Sequence, residues 1–187
     1  MNIVHRWYCK SDMWAKQLVR GMTLATSDLD LGDNLLEIGP GPGVGTDWFK
    51  ERVAHMTAIE IDHKLARALS QRMEGTNVTV VKGDATAMDF PDNTFSSASS
   101  FTMLHHVPTP ELQDKLLAEA CRVLSPGAPF FGSDSTPSLR WNIFHLFDTR
   151  VPCDPDTFAG RLEAAGFADV AVNTFPSGFG FIARKPA

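Results

Sequence analysis

A chain of 187 residues, 43% apolar and 21% charged with a formal charge of −5, is long enough to bury one sizeable core and too short for a separate substrate domain beside it. Its 17 basic residues against 22 acidic ones offer no basic field for holding phosphates, which predicts a chain with no nucleic-acid partner. Cys9, Cys121 and Cys153 form no Cys-x-x-Cys pair, the N-terminus lacks the apolar core of a signal peptide, and no run reaches roughly 18 apolar residues, so the expectation is a cytoplasmic chain with no metal and no transmembrane segment.

Along the chain, short apolar runs alternate with stretches of helical spacing, the pattern of a parallel α/β sheet. Asn34 to Ile38 is the first strand, and it breaks into Gly39-Pro40-Gly41-Pro42-Gly43-Val44-Gly45 ahead of a helix over about Thr46 to Val53. Met56 to Ile61 is the second strand. Asp62 to Met73 is a helix with Leu65, Ala66, Leu69 and Met73 on one face, and Val78 to Val81 is the third strand. Phe95 to Phe101 is the fourth, although Ser96, Ser97, Ser99 and Ser100 make it polar for a buried position. A helix over Pro110 to Leu124 ends at Ser125-Pro126-Gly127, and Ala128 to Gly132 is the fifth strand. Asp154 caps a helix that starts on Pro155 and runs through Ala165 to Gly166. Strands over Ala168 to Thr174 and Gly180 to Arg184 close a hairpin across Pro176-Ser177-Gly178. One domain over 1–187 is expected, with a helical cap (1–31), a cofactor-binding core (32–135), a substrate-cap insertion (136–152) and a C-terminal helix and hairpin (153–187).

Three features fall on successive strand ends at the carboxyl edge, where open α/β sheets bind ligands. Glycines in Leu36-Glu37-Ile38-Gly39-Pro40-Gly41-Pro42-Gly43 let a ligand approach the backbone. Glu60, about 20 residues further on, ends the second strand, where a carboxylate accepts both hydroxyls of a ribose. Asp84 follows the third strand and is suited to accept from an adenine amino group. Each has an ordinary reading as well: a tight turn, a solvated strand end, a loop acid.

Together they resemble the class I S-adenosylmethionine-dependent methyltransferases, in particular the small methyltransferase-domain group. Leu36 to Gly43 looks like that family's first motif, Ala58-Ile59-Glu60-Ile61-Asp62 its ribose segment, and Gly83-Asp84-Ala85 followed by Phe90-Pro91-Asp92-Asn93-Thr94-Phe95 its adenine stretch. Met103-Leu104-His105-His106-Val107 and Arg122-Val123-Leu124-Ser125-Pro126-Gly127 complete the order. Ser96 replaces the aspartate usual at the start of the fourth strand, and Ala128 replaces a glycine after Pro-Gly. The resemblance implies a Rossmann-like, doubly wound, seven-stranded and mostly parallel sheet with a C-terminal antiparallel hairpin and helices on both faces. It also implies S-adenosylmethionine as cofactor, held by Glu37, Gly39, Pro40, Gly41, Gly43, Glu60, Ile61, Asp84, Ala85 and Phe101, with Tyr8 of the N-terminal cap over it.

For chemistry, His105 and His106 follow the fourth strand, and an imidazole takes a proton near neutral pH; helix capping or packing against the cofactor is the alternative. Asp134, after the fifth strand, either faces the acceptor or is a solvated loop acid. Trp14, Leu18 and Met22 share a helical face suited to the core. Trp7, Trp141 and Phe144 belong to two apolar flanks, and the stretch 138–147 carries more large apolar groups than one buried stripe uses. An acceptor pocket, a membrane-surface contact or a dimer interface would use that excess. The expectation is methyl transfer to a small apolar or aromatic acceptor by a monomer or homodimer. A cofactor-binding subunit without turnover and a short dinucleotide oxidoreductase are the rivals; the latter lacks a Tyr-x-x-x-Lys pair, the one tyrosine being Tyr8.

Overall fold

The short apolar runs become strands and the stretches of helical spacing become helices. The computed structural model describes residues 12–137 and 150–187. In chain order these hold α1 (Asp12–Ala25), β1 (Asn34–Ile38), α2 (Val44–Phe49), β2 (His55–Glu60), α3 (His63–Arg72), β3 (Val78–Lys82), β4 (Ser97–Phe101), α4 (Pro110–Val123), β5 (Pro129–Ser135), α5 (Pro155–Ala164), β6 (Ala168–Phe175) and β7 (Gly178–Arg184). A 3₁₀ turn at Leu104–His106 links β4 to α4. The strands form one sheet of order β3-β2-β1-β4-β5-β7-β6. Strands β1 to β5 are parallel, and β7 runs antiparallel between β5 and β6. This is the doubly wound, Rossmann-like sheet with a closing hairpin that the sequence predicts.

Side chains alternate along a strand, and here each face has its own core. Leu35, Met56, Ala58 and Phe131 pack with Met22, Phe49 and Leu69 of α1, α2 and α3. Leu36, Ile38, Ala98 and Phe130 pack on the opposite face with Leu116, Leu117, Phe158 and Leu162 of α4 and α5. Helix starts follow local chemistry: Asp62 accepts from the amides of Lys64 and Leu65, Thr109 from Leu112, and Asp154 from Asp156 with Pro155 in the first turn.

Four elements depart from the expected bounds by two residues or more, among them β7, which starts at Gly178 rather than Gly180. Helix α2 is one short run, Val44–Phe49, that begins earlier and stops four residues sooner than its periodicity suggests. Strand β4 begins at Ser97, because Ser96 turns its hydroxyl to the loop before β1, accepting from the Asn34 amide at 2.9 Å and bonding the Leu31 carbonyl at 2.9 Å. Ser97 donates to the same Leu31 carbonyl at 2.7 Å. Polar content therefore does not expose this strand: its serines are small, and Ser97, with Ser96 just before it, ties the sheet centre to a preceding loop. Ser99 and Ser100 hydroxyls are buried with no hydrogen bond among the described residues. Strand β5 runs three residues past the expected end, to Ser135. Ala128 is no obstacle to it, since Gly127 already takes the left-handed turn position at φ +78°.

Candidate active site

The strand order reverses between β1 and β4, and a cavity of about 410 Å³ opens there at the carboxyl ends. Gly39, Pro40, Gly41 and Pro42 form one wall. At Gly39 (φ +69°) an added Cβ would strike the Met103 side chain. At Gly41 (φ +54°) nothing lies within 4 Å of that position, so bare backbone faces the space. Gly43, expected with them, does not line the cavity: it is the N-cap of α2 in the left-handed region (φ +85°), crowded by Arg72 and Leu69. Gly45, which is not among the residues expected at the cofactor, does line it.

Glu60 ends β2 at only 6% exposure, yet it borders the cavity. Its Oε2 accepts from the Gly41 amide at 3.0 Å and its Oε1 from the Asp62 amide at 2.9 Å. Each oxygen thus spends one lone pair on the backbone, which orients the carboxylate and leaves acceptor capacity for two adjacent hydroxyls. Glu37 is equally buried, and burial pushes its carboxyl up to about 7. A hydrogen bond from Thr46 works against that shift, and the charges of Asp47 and Glu60 reinforce it. Asp84 is exposed at the rim, with its Oδ1 taking the Thr86 amide at 2.9 Å and the Thr86 hydroxyl at 2.8 Å. Ala85 is buried beside it, and Ile61 lines the cavity although 65% exposed.

From β4 come Phe101, packed on Phe49 and Phe131, then Thr102 and Met103. Thr102 holds φ +52°, unusual for a β-branched residue, with its amide bonded to Ser133 at 2.7 Å. The two histidines then separate. His106 lines the cavity; His105 does not, being 2% exposed with its Nδ1 on Asp134 and its amide on the other Asp134 oxygen at 3.0 Å. The rings lie against each other, centroids 4.2 Å apart. Asp134 is neither a solvated loop acid nor a cavity group: it lies inside β5, buried, holding the turn that carries His105.

Helix α1 supplies Trp14 and Leu18 to the cavity, and Met22 of the same stripe enters the core. The i, i+4 spacing that signals a core face thus also builds a cavity wall. Trp7, Tyr8, Trp141 and Phe144 lie outside the described residues. Among those described, no group of three or more His, Cys, Asp or Glu is arranged to hold a metal, and no helix is long and apolar enough to cross a membrane. The residues present fit an adenosine-type cofactor with a cationic amino-acid arm: bare backbone at Gly41, a buried oriented carboxylate at Glu60 and a second buried acid at Glu37.

The methyltransferase domain family matches residues 36–131. Over 150 residues the chain is 42% identical to a ribosomal RNA small subunit methyltransferase A of Streptococcus pneumoniae (strain P1031), covering 80% of this chain and 43% of that protein. Over 95 residues it is 32% identical to a phosphatidylethanolamine N-methyltransferase of Cereibacter sphaeroides, covering 49% of this chain and 46% of that one. The chain therefore spans less than half the length of either relative. A crystal structure of a SAM dependent methyltransferase from Archaeoglobus fulgidus shares the fold, with a TM-score of 0.75 at 19% identity over 93% of this chain and 94% of that one. The expected exclusion of a nucleic-acid partner is corrected by the ribosomal RNA methyltransferase among these relatives. A net charge averages the whole surface and speaks to non-specific phosphate binding, whereas a particular nucleic-acid site is chosen by local groups. The match runs from the first strand through Phe131 and takes in the glycine loop, Glu60, Asp84 and both histidines: the chain belongs to the methyltransferase domain family, in its class I S-adenosylmethionine-dependent group.

Proposed function

We propose that this chain binds S-adenosylmethionine across the β1/β4 switch point and transfers its methyl group to an acceptor that enters beside His106. The observation that carries the reading is Glu60, a buried carboxylate bracketed by the Gly41 and Asp62 amides at the edge of the cavity. In this reading Glu60 takes the ribose hydroxyls, Asp84 and Ala85 meet the adenine, Gly39 to Gly41 lie along the methionine arm, and Glu37 faces its cationic end. When bound, the cofactor supplies a methyl group on a sulfonium, already activated for in-line displacement. The chain aligns the acceptor and excludes water: Trp14, Leu18, Phe101, Met103 and Leu112 make apolar walls. In this reading His106, which lines the cavity, takes the proton of a hydroxyl or amine acceptor as the acceptor's lone pair attacks. These walls support an acceptor presenting an apolar or aromatic group.

Calorimetry with S-adenosylhomocysteine tests the binding half. Wild type is expected to bind, and Glu60→Ala to bind at least about tenfold more weakly, the worth of a hydrogen bond to a charged group. Absence of binding by wild type would refute the proposal. Labelled-methyl transfer into lipid, small-molecule and RNA fractions of an extract tests turnover; no label in any fraction would leave a cofactor-binding subunit as the better account.

A further inference from the structure

The loop that carries Asp84 is gripped from helix α4. Gly83 donates to the Glu60 carbonyl at 3.1 Å, and Ala87 to the Asp84 carbonyl at 3.1 Å, so residues 84–87 form a turn hung from the end of β2. The next residue is held at both of its peptide groups: the Met88 amide donates to Glu119 Oε2 at 2.7 Å, and the Met88 carbonyl accepts from Arg122 at 2.9 Å. The same guanidinium donates to the Phe90 carbonyl at 2.8 Å and to Asp92 at 2.7 Å. Its other two bonds return to Glu119, at 2.7 and 2.8 Å. All donors of the Arg122 fork are thereby used, in a planar arrangement that a lysine does not reproduce.

Neither Glu119 nor Arg122 lines the cavity, whereas Asp84, Ala85 and Thr86 do. The pair therefore meets the ligand space through the loop that it holds. The Arg122 guanidinium holds the Glu119 carboxyl below the usual carboxylate range, so both groups stay charged at neutral pH. Arg122 also anchors by its own carbonyl, which accepts from Asn93 at 3.2 Å and from Lys185 at 3.0 Å. The loop is thus tied at its start to β2 and at its middle to α4, and the turn between these ties is the part that faces the cavity.

We propose that Glu119 and Arg122 are positioning residues for base recognition: they hold the 84–87 turn so that the Asp84 carboxylate meets the 6-amino edge of adenine, and they thereby set the preference for adenosine over its deaminated form. The proposal rests on the reading that Asp84 faces the adenine. Its test is calorimetry on the full chain with S-adenosylhomocysteine and with S-inosylhomocysteine, whose base carries a carbonyl where the amino group was. Wild type is expected to prefer the adenosyl ligand by about tenfold or more. Asp84→Ala abolishes that preference. Arg122→Lys and Glu119→Gln reduce it by at least about fivefold while binding of the inosyl ligand stays within about threefold of wild type.

Variants that weaken both ligands equally, or leave both unchanged, overturn the positioning role even where wild type discriminates. A wild type without preference overturns the reading of Asp84 and the positioning role with it, an outcome distinct from the first. Glu119→Gln keeps the side-chain volume and one acceptor, so it carries the test if Arg122→Lys does not fold.

Discussion

Glu37 sits against the cavity with its carboxyl pushed up to about 7, chiefly by burial. In the unfolded chain the same group titrates near 4.5. Between these values the folded state binds the extra proton, so this group's contribution is fully present below about pH 4.5 and is lost as pH rises through about 7. The loss amounts to about 3 kcal/mol at the top of that window, at 1.36 kcal/mol for each pKa unit. Glu37→Gln, which resembles the protonated acid and still accepts from Thr46, is therefore expected to match wild type at pH 4.5 and to exceed it by up to about 3 kcal/mol at pH 8. Urea unfolding at both pH values measures this, and equal stabilities at pH 8 would count against a Glu37 carboxyl pushed up by burial. The charge that costs stability is the one that a cationic ligand arm favours, the usual exchange between stability and function at a site.

At the scale of elements, the turn after β4 shows why neighbouring residues acquire different roles. His105 points back to Asp134 of β5 while its carbonyl accepts from the Val151 amide at 2.8 Å. Gln113 of α4 donates to the Leu104 carbonyl at 3.1 Å and to the Val151 carbonyl at 2.7 Å, binding the same segment from below. A turn held from three sides tolerates the left-handed Thr102 that precedes it. His105→Ala removes the side chain on Asp134 Oδ1 and leaves that buried oxygen the Ser135 amide, so a loss of about 1–3 kcal/mol is expected. His106→Ala removes a side chain that borders open space and is expected to cost under about 1 kcal/mol. Chemical denaturation of the two variants separates them, and similar losses would show that the histidines share one role. The sequence offers His105 and His106 as an undivided pair, because adjacency says nothing about which side of a 3₁₀ turn meets β5.

Across the whole molecule, the candidate ligand groups come from four strand ends: Glu37 to Gly41 at the end of β1, Glu60 at the end of β2, Asp84 after β3, and Phe101, Thr102, Met103 and His106 at the end of β4 and beyond it. The unfolded chain cannot assemble them, so a ligand of this cavity binds the folded state alone. At one hundred times its dissociation constant it adds about 2.7 kcal/mol of stability. For a chain of this size that corresponds to about 5–10 °C in Tm. Thermal unfolding with S-adenosylhomocysteine at that excess is expected to show the rise for wild type, and Glu60→Ala at the same ligand concentration to show about half of it or less, a tenfold weaker affinity leaving about 1.4 kcal/mol. A rise of equal size in both proteins would place the ligand away from Glu60.

The alternation of strand and helix, the glycine loop, the acid ending β2 and the aspartate after β3 were legible from residue spacing, because each is written in a window of a few residues and in the order of such windows. The burial of a serine-rich strand was not, since it depends on the loop before β1 and on β5 lying alongside. Nor was the separation of His105 from His106, the burial of Asp134, the retreat of Gly43 to the cap of α2, or the double duty of the α1 stripe at Trp14, Leu18 and Met22. Local spacing encodes hydrogen-bond geometry within one element. Which side chain faces the cavity depends instead on contacts between residues far apart in the chain, and those exist only once the sheet has closed around its switch point.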